Sequence, residues 1–166
     1  MTEPVGLDGV LVSFDDERVV SDAGILLFAT LAQRLGIERL AQRFVQLRPD
    51  HAGACNAGRK LMALIYAMAL GAECIDGCDV LRVGRTRRLL GGWIAAPSTL
   101  GTLLRALAFG HVRQLDRVLD EALKRAWNAG AGPGSGRLVA DIDSFVGEVH
   151  DYAKQGAAFG YTGKRG

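Results

Sequence analysis

The 166-residue chain is 49% hydrophobic and 23% charged, with a formal net charge of +2. Such a composition belongs to a folded globular protein and excludes both an intrinsically disordered chain and one dominated by a single sign of charge. No apolar run approaches the roughly 18–20 residues that span a bilayer, no basic-then-apolar leader opens the chain, and three cysteines are an odd number. A cytoplasmic protein without a disulfide framework is therefore expected.

Residues 9–20, GVLVSFDDERVV, alternate apolar and polar side chains around an Asp-Asp-Glu turn, a pattern that predicts a short β-hairpin. Ser21 and Asp22 are N-cap types before GILLFATLAQRLGI, whose helical spacing closes at Gly36. Ile37 to Leu47 predicts a second helix with Ile37, Leu40, Phe44 and Leu47 on one face, ended by Arg48-Pro49-Asp50. A loop through His51 and Asn56 leads to Arg59–Leu70, apolar nearly all round, as in a helix at the centre of a bundle. Cys74–Val83 predicts a further short helix with Ile75, Val80 and Leu81 inward. Pro97 is poor inside a helix, so the next helix is expected to begin after it, capped by Ser98 or Thr99. His111–Asn128 reads as a long amphipathic helix, with Val112, Leu115, Val118, Leu119, Ala122 and Leu123 on its apolar side. Trp93 and Trp127 are most simply read as packing residues.

Residues 129–136, AGAGPGSG, read as a flexible linker. Beyond it Leu138, Val139, Ile142, Phe145, Val146 and Val149 are β-branched, aromatic or aliphatic, and strands are expected. The fold class expected is mostly α: an N-terminal β-hairpin and a helical bundle over 1–128, the linker over 129–136, and over 137–166 the first strands of an α/β domain too short to close its own core.

Charge is unevenly distributed. From Arg82 to Arg113 there are six arginines (Arg82, Arg85, Arg87, Arg88, Arg105 and Arg113) and no acid. Such a stretch suits a phosphate backbone, because each guanidinium can displace condensed counterions; the alternative is a solvated face whose acids lie nearby in space. The segment Pro97–Arg105 has the form of the second helix of a helix-turn-helix, in which Ser98, Thr99 and Arg105 would meet DNA. In LVADIDSFV, Asp141 and Asp143 stand two apart, a spacing that on a strand aims both carboxylates to one face and toward one hard cation such as Mg²⁺. The alternative there is a strand end with solvated acids. His51, Cys55, Cys74 and Cys78 carry zinc-ligand chemistry, but Cys74 and Cys78 lie one helical turn apart, which equally suits two core thiols.

GRLVADIDS followed by AKQGAAFGYTGKRG resembles the first catalytic strand of insertion-sequence DDE transposases of the bacterial, actinobacterial type. The resemblance extends upstream, through Ser21–Gly24, Gly71–Arg82, Ala96–Arg105 and Gly110–Asp116, in the family's order. It implies an RNase H-like nuclease with three metal-binding acids. Asp143, followed by Ser144, matches the first and is the expected catalytic and metal-binding residue; Asp141 matches the acid before it, with a weaker claim to the metal. The other two acids are expected beyond Gly166, so the chain reads as an N-terminal piece, inactive alone. Phe145 departs from the family's usual threonine. The resemblance further implies Mg²⁺ or Mn²⁺ as cofactor, double-stranded DNA at insertion-sequence ends as partner, and a nucleoid-associated location away from membranes. DNA end cleavage and strand transfer are the implied reactions. The rival readings are a non-catalytic DNA-binding or dimerising module, working as a homodimer that competes with full-length transposase, and a pseudogene product.

Overall fold

A computed structural model describes residues 20–137, 139–143, 147–150 and 156–166. Its described body is helical: α1 (Ile25–Leu35), α2 (Ile37–Phe44), α3 (Ala57–Ala69), a 3₁₀ segment (Ile75–Arg82), α4 (Gly84–Leu89), α5 (Pro97–Ala106) and α6 (Phe109–Ala126), which runs into a π-helical turn (Trp127–Ala131). Gly36 separates α1 from α2 in a single residue. It sits at φ +67°, and its N–H donates to the Ala32 and Gln33 carbonyls. That left-handed turn is open to glycine at no steric cost, which is why the periodicity breaks there.

Two apolar clusters share the central helix. In the first, Leu40, Ala41 and Val45 meet Ala57 and Leu61 of α3, Leu103 of α5, and Val118 and Ala122 of α6. In the second, Ala63 and Ala67 meet Cys78, Leu81, Ala95 and Leu100. Leu64 packs against both. Helix α3 thus has core on two sides, as its nearly all-round apolar sequence predicts.

The contact between α2 and α3 is at backbone distance. A Cβ on Gly58 would lie 2.7 Å from the Glu38 carbonyl oxygen and 3.0 Å from the Gln42 nitrogen. The Gly58 N–H instead donates to Gln42 Oε1 at 3.1 Å. Two residues on, Lys60 is only 4% exposed, and its Nζ donates to the Gly53 carbonyl at 3.0 Å. Helix α6 closes the other flank of α2: Arg117 lies over the Phe44 ring at 5.1 Å, and Gln114 Oε1 accepts the Gln46 N–H at 2.9 Å. Only part of its expected apolar face is covered. Val118 and Ala122 are buried, whereas Val112, Leu119 and Leu123 are exposed.

Several expectations are corrected. Pro97 is the first residue of α5, not a residue before it, and Ala96 is the N-cap with no side-chain bond. Proline suits that position because the missing N–H has no intrahelical partner there and its fixed φ is already helical. Ser98 and Thr99 therefore cap nothing. Residues 75–82 wind as a 3₁₀ segment, and α4 is a helix the apolar pattern did not announce.

The mixed fold class is overturned as well. Among the described residues there is no strand, so the RNase H-like strands expected after the linker are not seen there; the hairpin assigned to 9–20 lies outside the described residues except for Val20. The extended backbone that does pair is a single antiparallel bridge between Phe159 and Arg165, with Val149 N–H donating to the Arg165 carbonyl at 2.7 Å. β-branched side chains favour a strand only where a neighbour takes up the backbone groups and covers a face. Val139 and Ile142 have neither cover, at 70% and 96% exposure. No helix among the described residues is long and apolar enough to cross a membrane.

In an open helix, glycine to alanine stabilises by about 1 kcal/mol. At Gly58 the sign is expected to reverse. The Gly58→Ala methyl meets backbone of α2 on two sides, and a clash of this kind costs about 1–3 kcal/mol. Urea denaturation of the two proteins reads the difference directly, and a more stable Gly58→Ala protein would show that α2 and α3 are not in backbone contact.

Candidate nucleic-acid interface

Helix α4, GRTRRL, has almost no apolar surface to bury, and it is held by its one buried side chain. Thr86 is 2% exposed, and its Oγ1 donates to the Ser21 carbonyl at 2.8 Å. Fixing Thr86 inward leaves Arg85, Arg87 and Arg88 on the solvent side. The chain then reverses through Gly91 and Gly92, at φ +94° and +78°, a pair of left-handed residues that side chains resist. The reversal presents two carbonyls outward. Arg87 Nε donates to Gly92 O at 2.7 Å, and Arg59 Nη2, arriving from α3, donates to Gly91 O at 3.2 Å. The Arg59 guanidinium also lies 5.6 Å from the centre of the Trp93 ring.

The run of arginines divides on its environment. Both ends are paired: Arg82 Nη1 meets Asp79 Oδ1 at 2.7 Å, and Arg113 Nη1 meets Asp116 Oδ2 at 3.5 Å. For these two the acids do lie nearby in space. Arg85, Arg87, Arg88 and Arg105 have no ion pair among the described residues. Arg105 belongs to α5, where its Nη2 donates to Thr102 Oγ1 at 3.3 Å and the guanidinium folds back beside Gly101. Ser98 is exposed and Thr99 half-buried on the same helix; the Ser98 carbonyl accepts the Thr102 hydroxyl at 2.9 Å. The structure therefore gathers Arg87, Arg59 and Trp93 around one turn, with Arg85 and Arg88 on the adjoining helix. Ser98, Thr99 and Arg105 form a separate group on α5. Arg59 and Trp93 escape the sequence reading because they lie outside the acid-free run or read as packing. The Gly-Gly pair just before Trp93 is the signal that marks the turn.

Asp141 and Asp143 are exposed, outside any helix or strand. Among the described residues no three His, Cys, Asp or Glu side chains come together as a metal site. Two carboxylates two residues apart, outside any helix or strand, do not by themselves complete a two-ion centre, which needs further acids from elsewhere in a fold. Glu148, the next acid along, is engaged otherwise, its Oε2 taking Lys164 Nζ at 2.9 Å. The zinc reading fails on similar grounds. Cys55 and Cys74 are exposed and Cys78 is buried. Burial, followed by the charges of Asp79, Cys74 and Asp76, pushes the Cys78 thiol above its ordinary range, and it is the thiolate that binds zinc.

A family model described as transposase DDE domain group 1 matches residues 2–166. No curated protein matches the chain, and no solved structure does.

The geometry of the turn rests on the two glycines. Gly92 has open space around it, so a Gly92→Ala side chain meets no neighbour and its cost is conformational, about 1–2 kcal/mol. Thermal unfolding of Gly92→Ala is expected to show that loss. Unchanged melting would mean that the turn is not held left-handed at this residue.

Proposed function

The chain belongs to the transposase DDE domain group 1 family, and on that premise we propose that its helical body grips duplex DNA at insertion-sequence ends through α4. The observation that supports this is the set of three solvent-facing arginines, Arg85, Arg87 and Arg88, on a short helix with no acid on it. A guanidinium bonded to a carbonyl, as Arg87 is, keeps its whole charge while losing rotational freedom before DNA arrives. Phosphate contacts of that kind position a protein on a duplex without reading its sequence. Arg105, Ser98 and Thr99 on α5 form a second surface for the same duplex, and Arg82 is a weaker contributor because Asp79 already shares its charge.

In the same reading Asp143 is the first metal-binding acid, with Asp141 beside it. DDE transposases as a family work with divalent metal ions, Mg²⁺ or Mn²⁺ here, whose chemistry is to activate the attacking oxygen and steady the leaving one.

Replacing Arg85, Arg87 and Arg88 together by alanine is expected to weaken duplex binding and flatten its salt dependence. The slope of log K against log salt should fall by roughly 0.9 for each phosphate that is no longer neutralised. Titrations by fluorescence anisotropy across a salt series measure it, and an unchanged slope would remove α4 from the interface.

The acids make a separate expectation. Asp143→Asn should leave duplex affinity within about twofold, since phosphates repel rather than bind a carboxylate. With Mg²⁺ or Mn²⁺, the purified 166-residue chain is expected to cut no DNA. Cleavage that disappears in Asp143→Asn would show instead that this chain completes the centre.

A further inference from the structure

A cleft of about 600 Å³ opens between α1, α2, α3 and the turn that follows α4. This is within the ordinary size range for a small-molecule or nucleotide site, roughly 300–1,000 Å³. Its floor is apolar, formed by the buried Met62 and Ala63 of α3. Its walls carry Trp93, Tyr66, Arg59, Arg39, Gln33 and Glu38. Trp93 is still 37% exposed although Arg59 lies near its ring. Tyr66 is set by an edge-on contact with Phe28, ring centres 6.2 Å apart, and burial, then the Glu38 charge, raises its phenol pKa. It is therefore a neutral hydrogen-bond donor at physiological pH. Arg39 has no ion pair among the described residues. Two guanidiniums against the single Glu38 carboxylate leave the cleft net positive.

Flat aromatic surface, an apolar floor and positive charge at one opening are the requirements of a nucleotide. The base needs a π-face and exclusion from water, and the phosphate needs fixed guanidiniums. We propose that this cleft holds one unpaired nucleotide, its base against Trp93 and its phosphate between Arg39 and Arg59. The inference rests on reading the chain as a DNA-binding protein, but it concerns different residues from the duplex contacts on α4. A duplex cannot enter such a cleft, because its bases are stacked and their faces covered. Single-stranded DNA presents the base directly. A strand and a free mononucleotide share the chemistry the cleft recognises.

The test uses the full chain carrying Trp127→Phe, so that Trp93 is the one fluorescent indole. Three probes are titrated: a hexamer of deoxyadenylate, deoxyadenosine monophosphate, and a blunt duplex. The hexamer is expected to quench Trp93, and its affinity should fall about tenfold on Trp93→Ala, followed by anisotropy of labelled hexamer. Trp93→Phe should recover most of it. Arg39→Ala should weaken hexamer binding and make it less sensitive to salt. Duplex affinity should stay within about twofold in Arg39→Ala, whose side chain belongs to α2 and not to α4 or its turn, which separates this site from α4. If the mononucleotide matches the hexamer, the cleft takes a free nucleotide; if the hexamer binds much more tightly, it takes a strand; either result supports the cleft. Absence of quenching by both, or equal hexamer affinity in Trp93→Ala with an unchanged melting curve, overturns it. Loss of duplex binding in the α4 variants with hexamer binding intact supports the cleft on its own footing.

Discussion

The close approach of α3 to α2 at Gly58 sets the register of the rest of the molecule. With hydrogen in place of a side chain, the two backbones come within van der Waals contact, and Gln42 takes the Gly58 N–H across the gap. The helix cannot slide or rotate without losing that bond or meeting the Glu38 carbonyl. Lys60 fixes the same register from the other direction, since a buried ammonium is costly unless bonded and its bond to Gly53 is available in one orientation only. Gly53 is itself pressed close to the Leu103 backbone of α5. One helix is thereby tied to α2 and α5 through backbone contacts, and side-chain packing in the two clusters follows from where those contacts place it.

That register also decides what α3 shows to solvent. Arg59 lies between Gly58, turned into α2, and Lys60, turned into the core, so the 100° step per residue sends it outward. It arrives at the Gly91 carbonyl and beside Trp93. The turn after α4 is therefore braced from the centre of the bundle, not only from its own helix. A short, strongly charged helix such as α4 has little apolar burial of its own, and it holds its place through Thr86 on one side and this braced turn on the other. Core and charged lip are parts of one mechanical unit.

How far the sequence reveals this depends on the kind of signal. Helices α1, α2, α3 and α6 are legible as helices because their apolar residues recur at helical spacing, although Leu27 and Leu31 of α1 and Leu119 and Leu123 of α6 stay exposed, and α3 shows its central position by being apolar nearly all round. Helix α4 is not legible, because GRTRRL carries no apolar period and its one anchoring residue is a threonine whose partner lies 65 positions away. Pro97 misleads for a related reason: composition shows a helix breaker, and only the backbone shows that it stands at the position where proline fits. The strands expected around Asp141 and Asp143 rest on side-chain preference alone, a preference that needs a neighbouring strand to act on. Val139 and Ile142 lie open to solvent without one. Among the arginines, sequence records the absence of acids along the chain but not across space, and Asp79 and Asp116 stand just outside the run on helical neighbours of Arg82 and Arg113.

The difference between a paired and a carbonyl-bonded arginine is what gives the surface its polarity. An exposed ion pair such as Arg82–Asp79 contributes little to stability, yet it cancels charge that a phosphate would otherwise feel. A bond from Arg87 to the Gly92 carbonyl cancels none, while it removes part of the side-chain entropy that binding would have to overcome. Two left-handed glycines are what turn those carbonyls toward the guanidiniums, so the backbone conformation of the turn is tied to the readiness of the guanidiniums. Where Arg59 makes the same bond, its charge remains available to the cleft on its other side. The Gly-Gly turn thus stands between two groups of arginines, the exposed ones of α4 proposed for a duplex and those of the cleft proposed for a single nucleotide, and a change in its backbone reaches both.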